Sequence, residues 1–81
     1  MARKTIYCAQ AFWRRDGRLI SGEVRQFLNE ERARQGGEIL LTGADGVAVF
    51  SMEGHPDVDL WEEPRLIEVM GDAPSADYLA A

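Results

Sequence analysis

Thr5 to Trp13 is rich in β-branched and aromatic residues and partly apolar on both faces, Val47 to Phe50 is an unbroken apolar run, and apolar and polar residues mix from Arg65 to Met70. A period of two puts successive side chains on opposite faces of a strand, so three strands are predicted over Thr5–Trp13, Val47–Met52 and Arg65–Met70. In the first, Ile6, Cys8 and Phe12 share one face, interrupted by Gln10. Thr5, Tyr7, Ala9, Ala11 and Trp13 share the other. Asp16-Gly17 suits a tight hairpin turn, after which Arg18–Ile20 is expected to pair back as a short strand. Val47–Met52 is apolar on both faces, as a central strand must be.

The segment from Ser21 to Thr42 admits two tilings. In one, Ser21 caps a helix over 22–35 whose apolar side is Val24, Phe27 and Leu28, Gly36-Gly37 ends it, and Glu38–Thr42 forms a strand. In the other, the second strand runs on to about Leu28 and Asn29 caps a helix over 29–42, with Glu30 and Glu31 at the positive end of its dipole. The second places two adjacent glycines inside a helix at a cost of about 1 kcal/mol each relative to alanine, so propensity favours the first. Either tiling predicts an α+β fold: a small antiparallel sheet of three to four strands with one helix packed on one face. Residues 1–72 are expected to form the domain, and 73–81, small and polar, a flexible tail. The sheet face away from the helix is left half covered, and Tyr7, Trp13, Leu66 and Met70 are candidates for an apolar interface there.

An 81-residue chain buries only about 60% of its unfolded surface and supports a single core. With 46% hydrophobic and 28% charged residues it has enough apolar surface to fold. One cysteine, Cys8, cannot form an internal disulfide, and one histidine, His55, cannot supply a metal site alone. No cofactor is expected. Gln10, Arg14, Arg15 and Asp16 break the leading stretch before it could serve as a secretory signal, and no run approaches the roughly 20 apolar residues of a membrane span, so a cytoplasmic protein is expected.

Charge is sorted along the chain. Eight of the nine basic side chains fall within residues 1–34 against four acids, a balance of +4, while from residue 35 onward only Arg65 opposes ten acids, a balance of −9. The overall charge of −5 repels nucleic acid in the mean field, and the four acids among the N-terminal arginines dilute any phosphate grip by Arg14, Arg15 and Arg18. The acidic remainder calls for a basic partner instead.

The densest chemistry lies in the expected loop Glu53–Pro64, with five acids, His55 and Trp61. Asp57, Asp59, Glu62 and Glu63 around Trp61 fit a partner-binding surface, an aromatic anchor ringed by negative charge that docks on an Arg- or Lys-rich face. The alternative folds Leu60 and Trp61 under the sheet as a lid, with the acids merely solvated. A metal-dependent hydrolase would use His55, Asp57 and Asp59, but the spacing lacks calcium-loop character and a second histidine. A Cys8–His55 dyad would draw on a thiol from an apolar strand face, where thiols are normally inert. No catalytic residue is assigned.

Tyr7-Cys-Ala-Gln-Ala-Phe12, Gly46-Val-Ala-Val-Phe-Ser51 and Glu53-Gly-His-Pro56 resemble segments of short uncharacterised bacterial and phage proteins that carry a Gly-Val-x-x-Phe-Ser strand. The resemblance spans roughly residues 5 to 70 and implies the second tiling, with a helix from Asn29 to about Leu41, but carries no assigned site. By type alone, small size and acidity also look like the anti-CRISPR inhibitors encoded by phages, which implies occlusion of a basic nucleic-acid-binding complex. The leading expectation is a non-enzymatic, protein-binding inhibitor of that kind. Self-association as a homodimer, in a structural or accessory role, is the second expectation and the metal-dependent hydrolase the third.

Overall fold

A computed structural model describes residues 3–74. In chain order the elements are β1 (Lys4–Arg15), β2 (Arg18–Phe27), α1 (Glu30–Leu41), β3 (Gly46–His55), a 3-10 turn (Pro56–Val58), β4 (Leu60–Trp61) and β5 (Arg65–Gly71). The fold is α+β, and its sheet of five antiparallel strands is larger than the three to four expected. β2 pairs with β1, β1 with β3, and the far side of β3 is shared by β4 and β5.

The hairpin of β1 and β2 turns at Asp16 (φ 51°) and Gly17 (φ 76°), both left-handed, which gives a two-residue turn whose twist matches the strands. β2 then runs ten residues, to Phe27, as the second tiling expects, beyond the short Arg18–Ile20 strand of the first. It carries one extra residue: Gln10 faces Val24 but Phe12 faces Ser21, so Gly22 and Glu23 together oppose Ala11. The Gln10 side-chain amide donates to the Gly22 carbonyl at 2.9 Å. The polar interruption in β1 therefore serves the bulge beside it. The indole of Trp13 packs over Gly22, where a methyl group would come within 2.6 Å of Cζ3, and its Nε1 donates to the Gly43 carbonyl at 2.7 Å.

The helix follows the second tiling. Asn29 is its N-cap, with Oδ1 accepting from the Arg32 amide at 2.9 Å, and Glu30 and Glu31 occupy the first turn. The helix over 22–35 and the strand over Glu38–Thr42 do not form. Gly36 and Gly37 lie inside α1 because of what presses on them. A side chain on Gly36 would overlap the Phe27 ring, and one on Gly37 would come within 2.8 Å of Met70 Cε and 3.0 Å of Val49 Cγ2. The close approach of Phe27, Met70 and Val49 to these two positions overrides the propensity penalty.

β3 supplies the centre, with Gly46 through Phe50 all buried. Ala9, Ala11, Val47 and Val49 cluster with Ala33 of α1, joined at the margins by Tyr7, Trp13, Phe27, Leu40, Leu41, Ile67 and Met70. Cys8, Phe12, Ala48 and Phe50 form a second cluster with Ile6, Leu19, Met52, Leu66 and Ala73. The two faces of β1 thus divide as its alternation predicts. Tyr7, Trp13, Leu66 and Met70 do not make one strip: three join the cluster that contains Ala33 and Leu66 joins the other. Ala73, placed in the tail by sequence, packs on the second cluster, and positions 75–81 of that tail lie outside the described residues. Among the described residues no helix is long and apolar enough to cross a membrane.

Candidate functional site

The stretch expected as one long loop is mostly ordered by the sheet. β3 continues through Glu53, Gly54 and His55, Pro56 starts a single 3-10 turn, and β4 returns to pair Leu60 with His55 and Trp61 with Gly54. The reversal needs a left-handed residue, and Asp59 takes it at φ 52°, a conformation that short polar side chains tolerate best. The Glu62 amide extends the pairing by donating to the Glu53 carbonyl at 2.8 Å.

This geometry fixes the four acids and the indole differently. Trp61 is half-buried with its ring against Gly54, and its Nε1 donates to Asp59 Oδ1 at 3.1 Å. It belongs to neither core cluster, and it is pinned to its own sheet rather than held out as an anchor. The exposed apolar groups at this end are Leu60 (62%) and Val58 (47%), so neither tucks under the sheet. Glu62 is tied internally: Arg3 donates Nη2 to Glu62, and Nε and Nη2 to Glu53 at 3.1 and 2.6 Å. These carboxylates raise the guanidinium pKa above its ordinary value, the hydrogen bonding to Glu53 being the largest cause. Asp57, Asp59 and Glu63 are exposed and have no ionic partner among the described residues.

Beside these acids opens a cleft of about 600 Å³ where the start of β1, the end of β3, the start of β5 and the first turn of α1 converge. Glu30, Glu53, Glu62 and Glu63 line it opposite Arg34 and Arg65, with Tyr7 on the wall. Arg34 is already engaged, donating to Glu68 at 2.6 Å and Glu30 at 3.3 Å. Glu30, Arg34 and Arg3 escape a reading of sequence because the acids they meet here, among them Glu53, Glu62 and Glu68, lie far from them in the chain. The one available signal is the β1–β3 register, which sets Thr5 opposite Glu53.

Two arginines of the hairpin tip also have acidic partners. Arg14 grips Asp72 with two bonds of 2.9 Å, and Arg15 lies 3.9 Å from Asp45. Part of the charge sorted along the chain is therefore paired within one molecule, while Arg18 at the same tip has no ionic partner among the described residues. Among the described residues, no three His, Cys, Asp or Glu side chains are arranged to hold a metal ion, His55, Asp57 and Asp59 included. Cys8 is buried, which pushes its thiol pKa up. It pairs with Phe50, five residues along β3 from His55, or about 16 Å at the rise of a strand, so the two cannot act as a dyad.

No protein-family model matches the chain, and no curated protein or solved structure matches it.

Proposed function

We propose that the protein is a non-enzymatic protein-binding module whose acidic end docks on a basic surface of a partner. One observation carries the reading: Leu60 and Val58 stand exposed among Asp57, Asp59 and Glu63, three carboxylates with no ionic partner among the described residues. An apolar contact ringed by unspent charge of one sign gives both a site for desolvation and a field that steers a cation-rich partner. Leu60 takes the anchoring role that sequence assigns to Trp61, while Trp61 and Asp59 hold the turn that presents it. Glu62 contributes less, because Arg3 already answers its charge.

The reading takes α1 as the cover of the Ala9, Ala11, Val47 and Val49 face, supported by the burial of Ala33 and Gly37. A basic nucleic-acid-binding complex is the partner class, the carboxylates standing where phosphates stand, as in a phage-type inhibitor acting by occlusion in the cytoplasm. Attraction of this kind weakens with salt, since exposed charges are screened beyond about 8 Å at physiological ionic strength.

The test uses an arginine-rich peptide as probe. Wild-type protein is expected to bind it with an affinity that falls as salt rises, and D57K/D59K/E63K to lose that binding while keeping the far-ultraviolet dichroism of the parent. L60A is expected to weaken binding without changing its salt dependence. Undiminished binding by the triple variant would remove this end of the molecule from consideration.

A further inference from the structure

β2 is the edge of the sheet, ten residues long, and its outer side has no strand neighbour among the described residues. Edge strands usually carry a deterrent, such as proline, an inward charge or a row of like charges. β2 has no proline, and the two charges at its middle are of opposite sign. Ile20 (46%), Val24 (45%) and Leu28 (85%) are exposed along it or at its end. They are three of the seven large apolar side chains left exposed among the described residues.

The order of residues around Val24 is self-complementary. We propose that β2 pairs edge to edge with β2 of a second copy, the strands antiparallel about a two-fold axis at Val24, so that one sheet continues across both chains. An isologous contact repeats each pair twice. With Val24 opposite the partner's Val24, Glu23 faces the partner's Arg25 and Arg25 faces the partner's Glu23. Neither side chain has an ionic partner among the described residues, and both line one shallow cleft beside Trp13 and Ile39, which places them on the same side of the sheet. Cross-strand pairs of opposite charge stabilise such a ladder, and like charges there disfavour it.

The bulge makes the rest of the register work. The extra residue at Gly22 shifts the ladder by one, so Ile20, which lies opposite Trp13 in its own hairpin, meets the partner's Phe27. Leu28 then reaches the partner's Leu19. The other long edge lacks this logic, because Glu68 of β5 is already bound to Arg34.

The test follows from the two-fold symmetry. Sedimentation of the full chain from about 1 to about 500 µM is expected to show a monomer–dimer equilibrium, and E23R or R25E alone to weaken it about tenfold or more by setting like charges opposite one another twice. An equimolar mixture of the two variants is expected to associate again as a heterodimer, since each supplies the charge the other lacks. E23R/R25E in one chain restores the homodimer. These side chains are exposed, and unchanged dichroism checks that each variant is folded. A wild-type monomer over the whole range overturns the proposal, as does a dimer indifferent to R25E or a mixture that fails to pair.

Discussion

The ring of Phe27, last residue of β2, occupies the space that a side chain on Gly36 of α1 would need. Strand and helix are separated here by only two residues, so the chain leaves the strand and brings Gly36 straight back against the Phe27 ring. A glycine inside the helix is what lets that return be so close.

Replacing Gly36 or Gly37 by alanine is therefore expected to destabilise the fold by about 1–3 kcal/mol, although alanine is the better helix former by about 1 kcal/mol. Urea denaturation measures this directly. A stabilised G36A would show that the Phe27 ring is free to move aside and that the contact is not a constraint.

Gln10 has a single structural task, to satisfy the Gly22 carbonyl at the bulge. Q10A leaves that acceptor without its partner and is expected to cost about 1 kcal/mol. Hydrogen exchange should accelerate first at the amides around Gly22, with the β1–β3 pairing protected as before.

Arg14 holds the Asp72 carboxyl below the ordinary carboxylate range, chiefly through their hydrogen bonds. Because the folded pKa is the lower one, this pair contributes stability that is fully present above the unfolded value of about 3.9 and is lost as pH falls through the folded value. Denaturation midpoints from pH 6 down to pH 2 should fall more steeply for wild type than for D72N. D72N should be the less stable of the two at neutral pH, and high salt should narrow the gap.

Cys8 lies in the second cluster with a thiol that burial pushes up. Reaction with a thiol reagent at neutral pH is expected to be about a hundredfold or more slower than in denaturant, because attack waits for opening of the β1–β3 pairing. Fast modification of the folded protein would contradict the placement of that side chain.

What local sequence determines about this chain is considerable. Period-two alternation assigns the two faces of β1 correctly from Ile6 to Trp13, Asp16-Gly17 marks the hairpin, and the apolar run at Val47 marks the central strand. These signals are legible because they need only neighbouring residues: a strand's pleat, a turn's positive φ and a run with no polar side to expose. Asn29 with Glu30 and Glu31 offers a helix start, but local signals leave a helix over 22–35 equally open and propensity favours it.

Tertiary structure alone decided the rest. Gly36-Gly37 reads as a helix stop until Phe27, Val49 and Met70 are brought against it. Leu60-Trp61 becomes a strand only because Gly54 and His55 are there to pair with it. The acidic half looks like one outward patch in linear order, yet strand pairing carries Arg3 to Glu53 and Glu62 and folds Arg14 onto Asp72, leaving Asp57, Asp59 and Glu63, with Glu38 on the helix, among the acids without an ionic partner. Opposite charges find each other through space, and residues fifty positions apart in the chain are adjacent only once the sheet has formed.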